Sequence, residues 1–349
     1  MKVLVTGSSG LIGSEAVLFF NKMGFDILGV DNNMRRDFFG PQGDTTWNLQ
    51  RLQKMTRHFV HYDLDVRDRQ GVLDFFSREK LDLIIHTAAQ PSHELAATRP
   101  FDDFDVNAVG TLNLLEATRR SSPDAVFIHV STNKVYGDAL NHIRLRETET
   151  RWDFDDLRYF NGIPEDFPID NSLHSLFGAS KVAADILAQE YGKYFGLKTG
   201  IFRGGCLTGP QHSGVELHGF LNYLVLAAMR EQPYTIYGYK GKQVRDQIHS
   251  YDVVNAFWHF AQNPRPGEVY NLGGGKENAN SVIECIEMVD AKTGKRPKIT
   301  YSERNRIGDH ICYYSNLKKL QDQYPGWKLT YSVEQIIDEI IGAIQDREV

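Results

Sequence analysis

Short apolar runs alternate with longer amphipathic segments along the first half of the chain. The runs predict strands that are buried on both faces, since such strands are nearly continuous in apolar residues. The predicted strands cover residues 3–6, 27–30, 60–62, 83–86, 127–130 and 198–203. The segments between them, including residues 11–23, 71–77 and 109–120, carry the apolar spacing of helices. This alternation predicts an α/β fold with a doubly wound parallel sheet.

A glycine-rich turn joins the first predicted strand to the first predicted helix. Gly7 permits a tight turn, Gly10 lets the backbone approach a pyrophosphate, and Gly13 lets the helix pack closely on the sheet. Around Leu11 and Ile12 the helix begins, so free N–H groups and a partial positive charge face the phosphates. Because the glycines follow a strand and open a helix, they predict a dinucleotide site.

The end of the second predicted strand indicates which dinucleotide binds. Asp31 stands there, followed by Asn32. A carboxylate at this position accepts hydrogen bonds from the ribose hydroxyls and repels a 2′-phosphate, which favours NAD over NADP. Arg35 and Arg36 follow closely and are able to accommodate a phosphate, so the charge pattern by itself leaves NADP open.

The alternation of strand and helix is interrupted twice in the second half of the chain. Residues 206–241 and 276–349 are rich in Gly, Tyr and polar residues, whereas residues 242–275 alternate again. We therefore expect two domains. Residues 1–205 and 242–275 are predicted to bind NAD, and residues 206–241 and 276–349 to form a smaller mixed α/β lobe that binds the substrate.

Composition narrows the class of partner. The chain of 349 residues is 41% hydrophobic and 24% charged, as is usual for a globular protein. Its net charge of -6 argues against a nucleic-acid partner, because phosphate binding needs a basic surplus. Cys206, Cys285 and Cys312 are too dispersed for a zinc motif or a disulfide framework, so we expect no metal. No apolar run approaches the roughly 20 residues of a membrane span, and a strand follows Met1 at once, so we expect a cytoplasmic protein without membrane contact.

Several runs of residues are similar to the motifs of one enzyme family. They are residues 7–13 (GSSGLIG), 106–112 (VNAVGTL), 131–137 (STNKVYG), 178–181 (GASK) and 241–249 (GKQVRDQIH). Over nearly its full length the chain resembles the extended short-chain dehydrogenases/reductases, and among them the NAD-dependent nucleotide-sugar epimerases and dehydratases. The resemblance implies a Rossmann domain with NAD, a nucleotide-sugar substrate, and a homodimer that pairs two helices, residues 102–121 and 179–195.

The same resemblance implies a role for particular residues. Thr132 is expected to hydrogen-bond the reacting sugar hydroxyl, and Lys181 to hold the nicotinamide ribose. Arg245 and Arg306 are expected to pair with the substrate diphosphate. Further expected substrate contacts are Asn133, His174, Arg203 and His218, and further expected cofactor contacts are Asp63, Leu64, Ala88, Ala89 and Asn107. Asp63 is equally well explained as a loop cap.

One catalytic position departs from the family pattern. The family carries Tyr-x-x-x-Lys, whose Tyr hydroxyl shuttles a proton, and here Phe177 precedes Lys181 by four residues. A phenyl ring neither gives nor accepts a proton, so three explanations stay open. Another group acts as the base, the candidates being Lys134, Lys181, His174 and Tyr136. Alternatively, Phe177 is an engineered replacement of Tyr, or the protein binds its ligands without turnover.

Four similar runs indicate which reaction to expect, namely residues 131–138, 147–151, 174–175 and 241–246. They resemble the 2-epimerases of the family, which implies that a CDP-sugar is oxidised at C2 to a keto sugar and reduced again on the other face. The alternative reactions are 4-epimerisation and 4,6-dehydration. A dehydratase, by the same resemblance, needs an Asp-Glu pair after the threonine, whereas Asn133 and Lys134 follow Thr132. The non-enzymatic alternative is a protein that binds NAD or a nucleotide sugar without turnover.

Overall fold

The computed structural model describes residues 1–214, 219–305 and 308–348. Its strands are β1 (Lys2–Thr6), β2 (Asp26–Val30), β3 (Phe59–Tyr62), β4 (Leu83–His86), β5 (Val126–Thr132), β6 (Leu145–Glu147), β7 (Trp152–Phe154), β8 (Lys198–Gly204), β9 (Cys206–Thr208), β10 (Pro233–Tyr237), β11 (Val244–His249), β12 (Glu268–Leu272), β13 (Ala279–Ser281), β14 (Lys298–Ser302) and β15 (Cys312–Tyr313). All six strands predicted from the sequence are present.

Its helices are α1 (Leu11–Lys22), α2 (Met34–Phe39), α3 (Thr46–Met55), α4 (Arg69–Arg78), α5 (His93–Thr98), α6 (Pro100–Phe104), α7 (Gly110–Ser121), α8 (Ser175–Phe195), α9 (Phe220–Met229), α10 (Ser250–Gln262), α11 (Val282–Thr293), α12 (Lys318–Gln323) and α13 (Val333–Glu348). A single π-helical turn, Asp105–Val109, connects α6 to α7. Among the helices that the structure describes, none is long and apolar enough to cross a bilayer.

A seven-stranded sheet forms the centre of the fold. Its order is β3-β2-β1-β4-β5-β8-β12, and every pair is parallel. Successive residues of β1 are buried on opposite faces, with Val3 and Val5 in one apolar cluster and Leu4 in another. A strand that is buried on both faces must be continuously apolar, which is the pattern that the sequence shows. The predicted doubly wound Rossmann fold is confirmed.

Smaller mixed sheets lie beside the central sheet. Strand β11 pairs antiparallel with β13 and parallel with β15 and β9, and β10 pairs with β14. Helices α9, α11 and α13 contribute to an apolar cluster next to β10, which includes Leu224, Ile236 and Ile337. The predicted domain boundaries stay a prediction. Trp327 and Leu320, from the segment expected in the smaller lobe, pack into the apolar cluster that covers the central sheet.

The strand order places a crevice at one edge of the central sheet. The chain builds outward from β1 through β2 and β3 on one side, and from β4 through β5 and β8 on the other. The loops that leave β1 and β4 therefore diverge at their carboxyl ends. Ligands of doubly wound proteins bind at this point of divergence, and the glycine turn after β1 lies there.

Candidate active site

A cavity of about 510 Å³ lies at the carboxyl ends of the central strands. The glycine turn and the ends of β4 and β5 form one side of it, and β9, β10 and β11 form the other. Many of the residues predicted from the sequence line this cavity together, namely Gly7, Gly10, Leu11, Ile12, Asp31, Asn32, Leu64, Ala88, Ala89, Thr132, Asn133, Lys134, Phe177, Lys181 and Arg245.

The glycine turn has the shape that a dinucleotide needs. Gly7 has a φ of +67°, and a Cβ atom there would lie 2.8 Å from the backbone nitrogen of Ala88. A Cβ atom on Gly13 would lie 2.1 Å from the carbonyl oxygen of Gly7, so α1 packs closely against the turn only because residue 13 is glycine. Gly13 thus supports the turn from behind, and the turn leaves its N–H groups at the helix N-terminus for a pyrophosphate.

Asp31 lies beside this turn. Its carboxylate accepts hydrogen bonds from the N–H groups of Ser9, at 2.9 Å, and Asn33, at 2.8 Å. Burial raises the pKa of Asp31, and these two donors oppose that rise. Arg35 also lines the cavity, whereas Arg36 forms an ion pair with Asp44. A carboxylate in this place is able to accept hydrogen bonds from the hydroxyls of a cofactor ribose.

The loop after β3 contributes one predicted residue to the cavity and leaves another outside it. Leu64 lines the cavity together with Asp65 and Val66, whereas Asp63 is not part of the lining. Asp65 forms an ion pair with Arg67 at 2.8 Å. The predicted adenine contact by Asp63 and Leu64 stays a prediction, and of the two residues Leu64 is the one that lines the cavity.

Asn107 supports the site from the interior. Its side chain accepts a hydrogen bond from the N–H of Gln90 and donates one to the carbonyl of Gln90, both at 3.0 Å. It also donates to Asp103 and to Ser180, each at 3.1 Å. This buried network joins the loop after β4 to the helix that carries Lys181. Gln90 was not predicted, and the only sequence signal for it is a polar residue directly after the Ala-Ala turn.

Lys181 presents a buried cation to the cavity. Its Nζ atom donates to the carbonyl oxygen of Val130 at 2.9 Å. Burial lowers the pKa of Lys181 to about 8, and the carboxylates of Asp185 and Asp103 oppose this shift. A lysine in such surroundings exchanges its proton near neutral pH more readily than a surface lysine does.

Phe177 stands at the position where the family pattern has a tyrosine. Phe177 is 7% exposed and lines the cavity, as does Thr132 at the end of β5. The imidazole of His93 packs edge-on against the Phe177 ring, with ring centroids 4.9 Å apart. His93 Nδ1 lies 2.8 Å from the hydroxyl of Ser175. His93 was not predicted, although its place soon after β4 is a signal, since the carboxyl edge of the sheet gathers functional residues.

Two of the four candidate bases are brought to the cavity and two are not. Lys134 and Lys181 line it. His174 lies outside the lining, with its two ring nitrogens 2.9 Å from backbone carbonyl oxygens. Tyr136 is fully buried, and its hydroxyl donates to the side chain of Asn271 at 2.7 Å. Burial raises the pKa of Tyr136 to about 12, which makes it a poor proton donor at neutral pH and leaves no phenolate to act as a base.

A cluster of charges forms the opposite wall. Arg245 forms an ion pair with Asp309 and donates to the carbonyl of His310. Lys134 pairs with the same carboxylate at 3.3 Å and donates to the carbonyl of Gly308 at 3.0 Å. Burial opposes ionisation of Asp309, but the charges of Arg245 and Lys134 hold its pKa well below its ordinary value. Two cations against one carboxylate leave a positive wall that suits a diphosphate.

The same wall carries side-chain amide atoms that have no hydrogen-bond partner among the described residues. Gln243, Arg245 and Gln247 alternate along β11 and the residue before it, and all three line the cavity. Gln247 is fully buried, and neither its Oε1 nor its Nε2 has a partner among the described residues. The same is true of Gln243 Oε1 and of Asn280 Oδ1 on the paired strand β13. Such atoms cost about 1–3 kcal/mol each when unsatisfied, so they indicate a polar ligand.

One further predicted substrate residue of the described part of the chain does not line the cavity. Arg203 is buried in an ion pair with Asp185 at 3.0 Å and is not part of the lining. His218 and Arg306 lie outside the described residues. Within the part of the chain that the structure describes, no group of three or more His, Cys, Asp or Glu side chains is arranged to hold a metal ion.

The parallel sheet, the glycine turn, the carboxylate of Asp31 and the buried Lys181 together form a site of the kind found in extended short-chain dehydrogenases/reductases. The chain belongs to the NAD dependent epimerase/dehydratase family, whose model matches residues 3–273. Its cofactor is NAD, which the pocket around Gly7 and Asp31 fits.

Individual relatives cover almost the whole chain. It is 33% identical to the CDP-paratose 2-epimerase of Salmonella typhi over 328 residues, 92% of this chain and 92% of the relative. It is 29% identical to a dTDP-glucose 4,6-dehydratase of Escherichia coli over 345 residues, 94% of this chain and 88% of that relative. The solved structure of the UDP-glucose 4-epimerase of Thermus thermophilus with NAD superposes on this chain with a TM-score of 0.79 and 25% identity. The superposition covers 99% of each chain.

Proposed function

We propose that the protein is an NAD-dependent epimerase of a nucleotide-activated hexose and that it inverts C2 of a CDP-sugar. The observation that carries this proposal is the shared cavity, in which the glycine turn and Lys181 face Arg245 on β11. One wall suits a dinucleotide and the other suits a second diphosphate. The similarity to the CDP-paratose 2-epimerase supports the choice of nucleotide and carbon.

Strand registers support one direction for the substrate. Thr132 on β5 pairs with Gly204 on β8, two residues before Cys206, and Cys206 on β9 pairs with Gln247 on β11. The Gln247 end of β11 is therefore the end nearest the reacting centre. Residues four apart along a strand are separated by roughly 13 Å, so a nucleotide sugar fits with its hexose near Gln247, its diphosphate at Arg245 and its base toward Gln243.

The roles of the chain's own groups follow from this placement. Thr132 donates a hydrogen bond to the reacting hydroxyl, and the cation of Lys181 favours the polarised carbon–oxygen bond. When bound, NAD supplies the chemistry of accepting a hydride from the sugar carbon and returning it. Arg245 holds the diphosphate while the sugar presents its other face. Inversion needs no further reagent, because the hydride that leaves is the one that returns.

The residues after Thr132 favour epimerisation over loss of water. Loss of water needs a base at the carbon next to the carbonyl and an acid that protonates the hydroxyl leaving the following carbon. Lys134 extends instead toward Asp309, and Asn133 has no proton to exchange near neutral pH. Both features support an epimerase. Because the chain is also similar to the dTDP-glucose 4,6-dehydratase, an experiment has to distinguish an epimer from a dehydrated product.

Proton NMR of the purified protein with CDP-, UDP-, GDP- and dTDP-hexoses, without added NAD, tests the proposal. A C2 epimer formed from a CDP-sugar is the expected result. A C4 epimer would establish the 4-epimerase alternative, which the solved relative from Thermus thermophilus supports, and a 4-keto-6-deoxy sugar would establish a dehydratase. If every sugar is unchanged, activity of Phe177→Tyr identifies the substrate, and continued inactivity of that variant favours binding without turnover.

We also propose a homodimer in the cytoplasm. The helices expected at the dimer interface expose apolar side chains on α6 and α8, with Phe101 85% exposed and Tyr194 79% exposed. Phe104 and Phe195 lie beside them and are half exposed. Burial of exposed apolar side chains of this kind stabilises association. Light scattering should give twice the chain mass, and Tyr194→Asp should shift the protein toward one chain.

A further inference from the structure

We infer that His93 accepts and returns the proton of the sugar hydroxyl, in place of the phenol that Phe177 lacks. This inference rests on the proposed epimerase function. It concerns a residue that the tyrosine–lysine motif does not contain and that comes from a different part of the chain, the first turn of α5.

The position of His93 carries the inference. His93 and Phe177 both line the cavity, and the imidazole lies edge-on against the Phe177 ring at 4.9 Å between centroids. A tyrosine at residue 177 would extend its hydroxyl from the far end of this ring. His93 is thus a titratable side chain whose ring contacts the ring of Phe177, where the family has its tyrosine. Lys134 is tied to Asp309, and Lys181 donates to the carbonyl of Val130.

Ser175 holds the imidazole in place at the cost of backbone strain. Ser175 is the first residue of α8 and has a φ of +61°, a conformation that costs about 1–3 kcal/mol in a residue other than glycine. Its hydroxyl lies 2.8 Å from His93 Nδ1 and accepts from the N–H of Gly178 at 3.3 Å. Strain that persists at such a contact indicates a functional reason for it.

The Ser175 contact determines which nitrogen reacts. When His93 Nδ1–H donates to the Ser175 hydroxyl, the lone pair of the neutral ring is on Nε2. The same Nδ1 edge faces Gly308, where a Cβ atom would lie only 3.1 Å from Nδ1. Ser175 is therefore a positioning residue, and Nε2 is the proposed proton acceptor.

The proton step balances with the hydride transfer. The sugar O–H bond breaks, its proton moves to Nε2 of His93, and its electron pair forms the carbonyl as the C–H hydride leaves for the cofactor. In the return step the hydride comes back to the other face of the carbon, and the His93 imidazolium returns its proton to the oxygen. His93 ends each cycle neutral, so no other reagent is consumed.

Three variants test this role on the sugar that the wild-type protein converts. His93→Gln should lower kcat by roughly 100- to 10,000-fold with KM changed only a few-fold, because general-base catalysis contributes about that much. His58→Gln, at an exposed histidine beside Asp26, should match the wild type. Adding Phe177→Tyr to His93→Gln should recover much of kcat, since it restores a proton-transferring group at the neighbouring ring and shows that the fold is intact.

The outcomes separate this inference from the proposed function. If the wild type epimerises a sugar and His93→Gln keeps its kcat, the inference is wrong and the function stands. A loss of kcat that Phe177→Tyr does not rescue would also contradict it. If neither the wild type nor Phe177→Tyr converts any sugar, the proposed function fails and the inference fails with it.

A measurement without turnover tests the same geometry. In protein labelled with ¹⁵N-histidine, long-range NMR spectra should show neutral His93 with its hydrogen on Nδ1, and His93→Gln assigns the signal. Ser175→Ala should shift this signal or mix the tautomers. Hydrogen on Nε2 in the wild type, unchanged in Ser175→Ala, would overturn the inference.

Discussion

Arg203 and Asp185 form an ion pair inside the protein, 3.0 Å apart, with side chains that are 4% and 0% exposed. The guanidinium also lies 5.0 Å from the ring centroid of Tyr136 and donates to its hydroxyl at 3.2 Å. The pair ties β8 to α8, the helix that carries Lys181. An arginine that the sequence predicts as a substrate contact thus lies outside the cavity lining and supports α8 instead.

Replacing Arg203 should damage stability more than substrate binding. Arg203→Met leaves the Asp185 carboxylate buried without its cation, which should lower the free energy of unfolding by about 3–5 kcal/mol. Urea denaturation measures the change. Arg120→Met, at a more exposed arginine paired with Glu116, should change stability by less than about 0.5 kcal/mol. An unchanged free energy of unfolding together with a raised KM would instead show that Arg203 contacts the substrate.

Gln247→Leu should weaken substrate binding without destabilising the protein. The amide is buried with no partner among the described residues, so its removal relieves an unsatisfied group in the ligand-free protein and removes hydrogen bonds to the sugar. Titration calorimetry should show a Kd raised roughly 10-fold, with unfolding free energy equal to or above that of the wild type. Gln53→Leu, on the exposed surface of α3, is the matched control. An unchanged Kd for the substrate would show that Gln247 does not contact it.

Arg245→Lys should separate substrate binding from cofactor binding. A lysine keeps the charge but loses the planar fork, so the diphosphate loses a paired hydrogen bond. The substrate KM should rise roughly 10- to 100-fold, in line with the strength of hydrogen bonds to charged groups. The amount of NAD bound to the purified variant should equal that of the wild type. Equal losses of NAD and substrate would mean that the variant disturbs the whole cavity.

Asp246 should make stability depend on pH between about 4 and 6. It is fully buried beside the N–H groups of Ser315 and Gly275, and burial raises its pKa from 3.8 to about 6. The folded state therefore binds the proton more tightly than the unfolded state. The contribution of Asp246 to stability is greatest below pH 4 and falls, by on the order of 3 kcal/mol, as the pH rises to 6.

Asp246→Asn tests this contribution, because an amide oxygen still accepts the two N–H groups and does not titrate. Unfolding free energies at several pH values between 4 and 7 should show the variant gaining on the wild type as the pH rises. Asp124→Asn, at an exposed position, should follow the wild-type curve. Parallel curves for Asp246→Asn and the wild type would show that Asp246 has the same pKa in both states.

The elements that the sequence predicts well are those with local patterns. The predicted strand over residues 83–86 is β4, and the helix predicted over residues 11–23 is α1, one residue shorter. The helix around Lys181 begins earlier than its predicted start, at Ser175. Ser175 has a left-handed backbone that no local pattern announces, because its contact with His93 joins two segments distant in sequence.

By itself, the sequence determined the doubly wound sheet, the glycine turn and the membership of the epimerase/dehydratase family. Burial periodicity and turn chemistry act over a few residues, so they can be recognised along the chain. Tertiary structure alone decided that His93 meets Phe177, that Gln247 faces the cavity and that Arg203 turns inward. Those outcomes depend on the direction of side chains from segments that pack together only when the parallel strands bring their carboxyl ends to one edge.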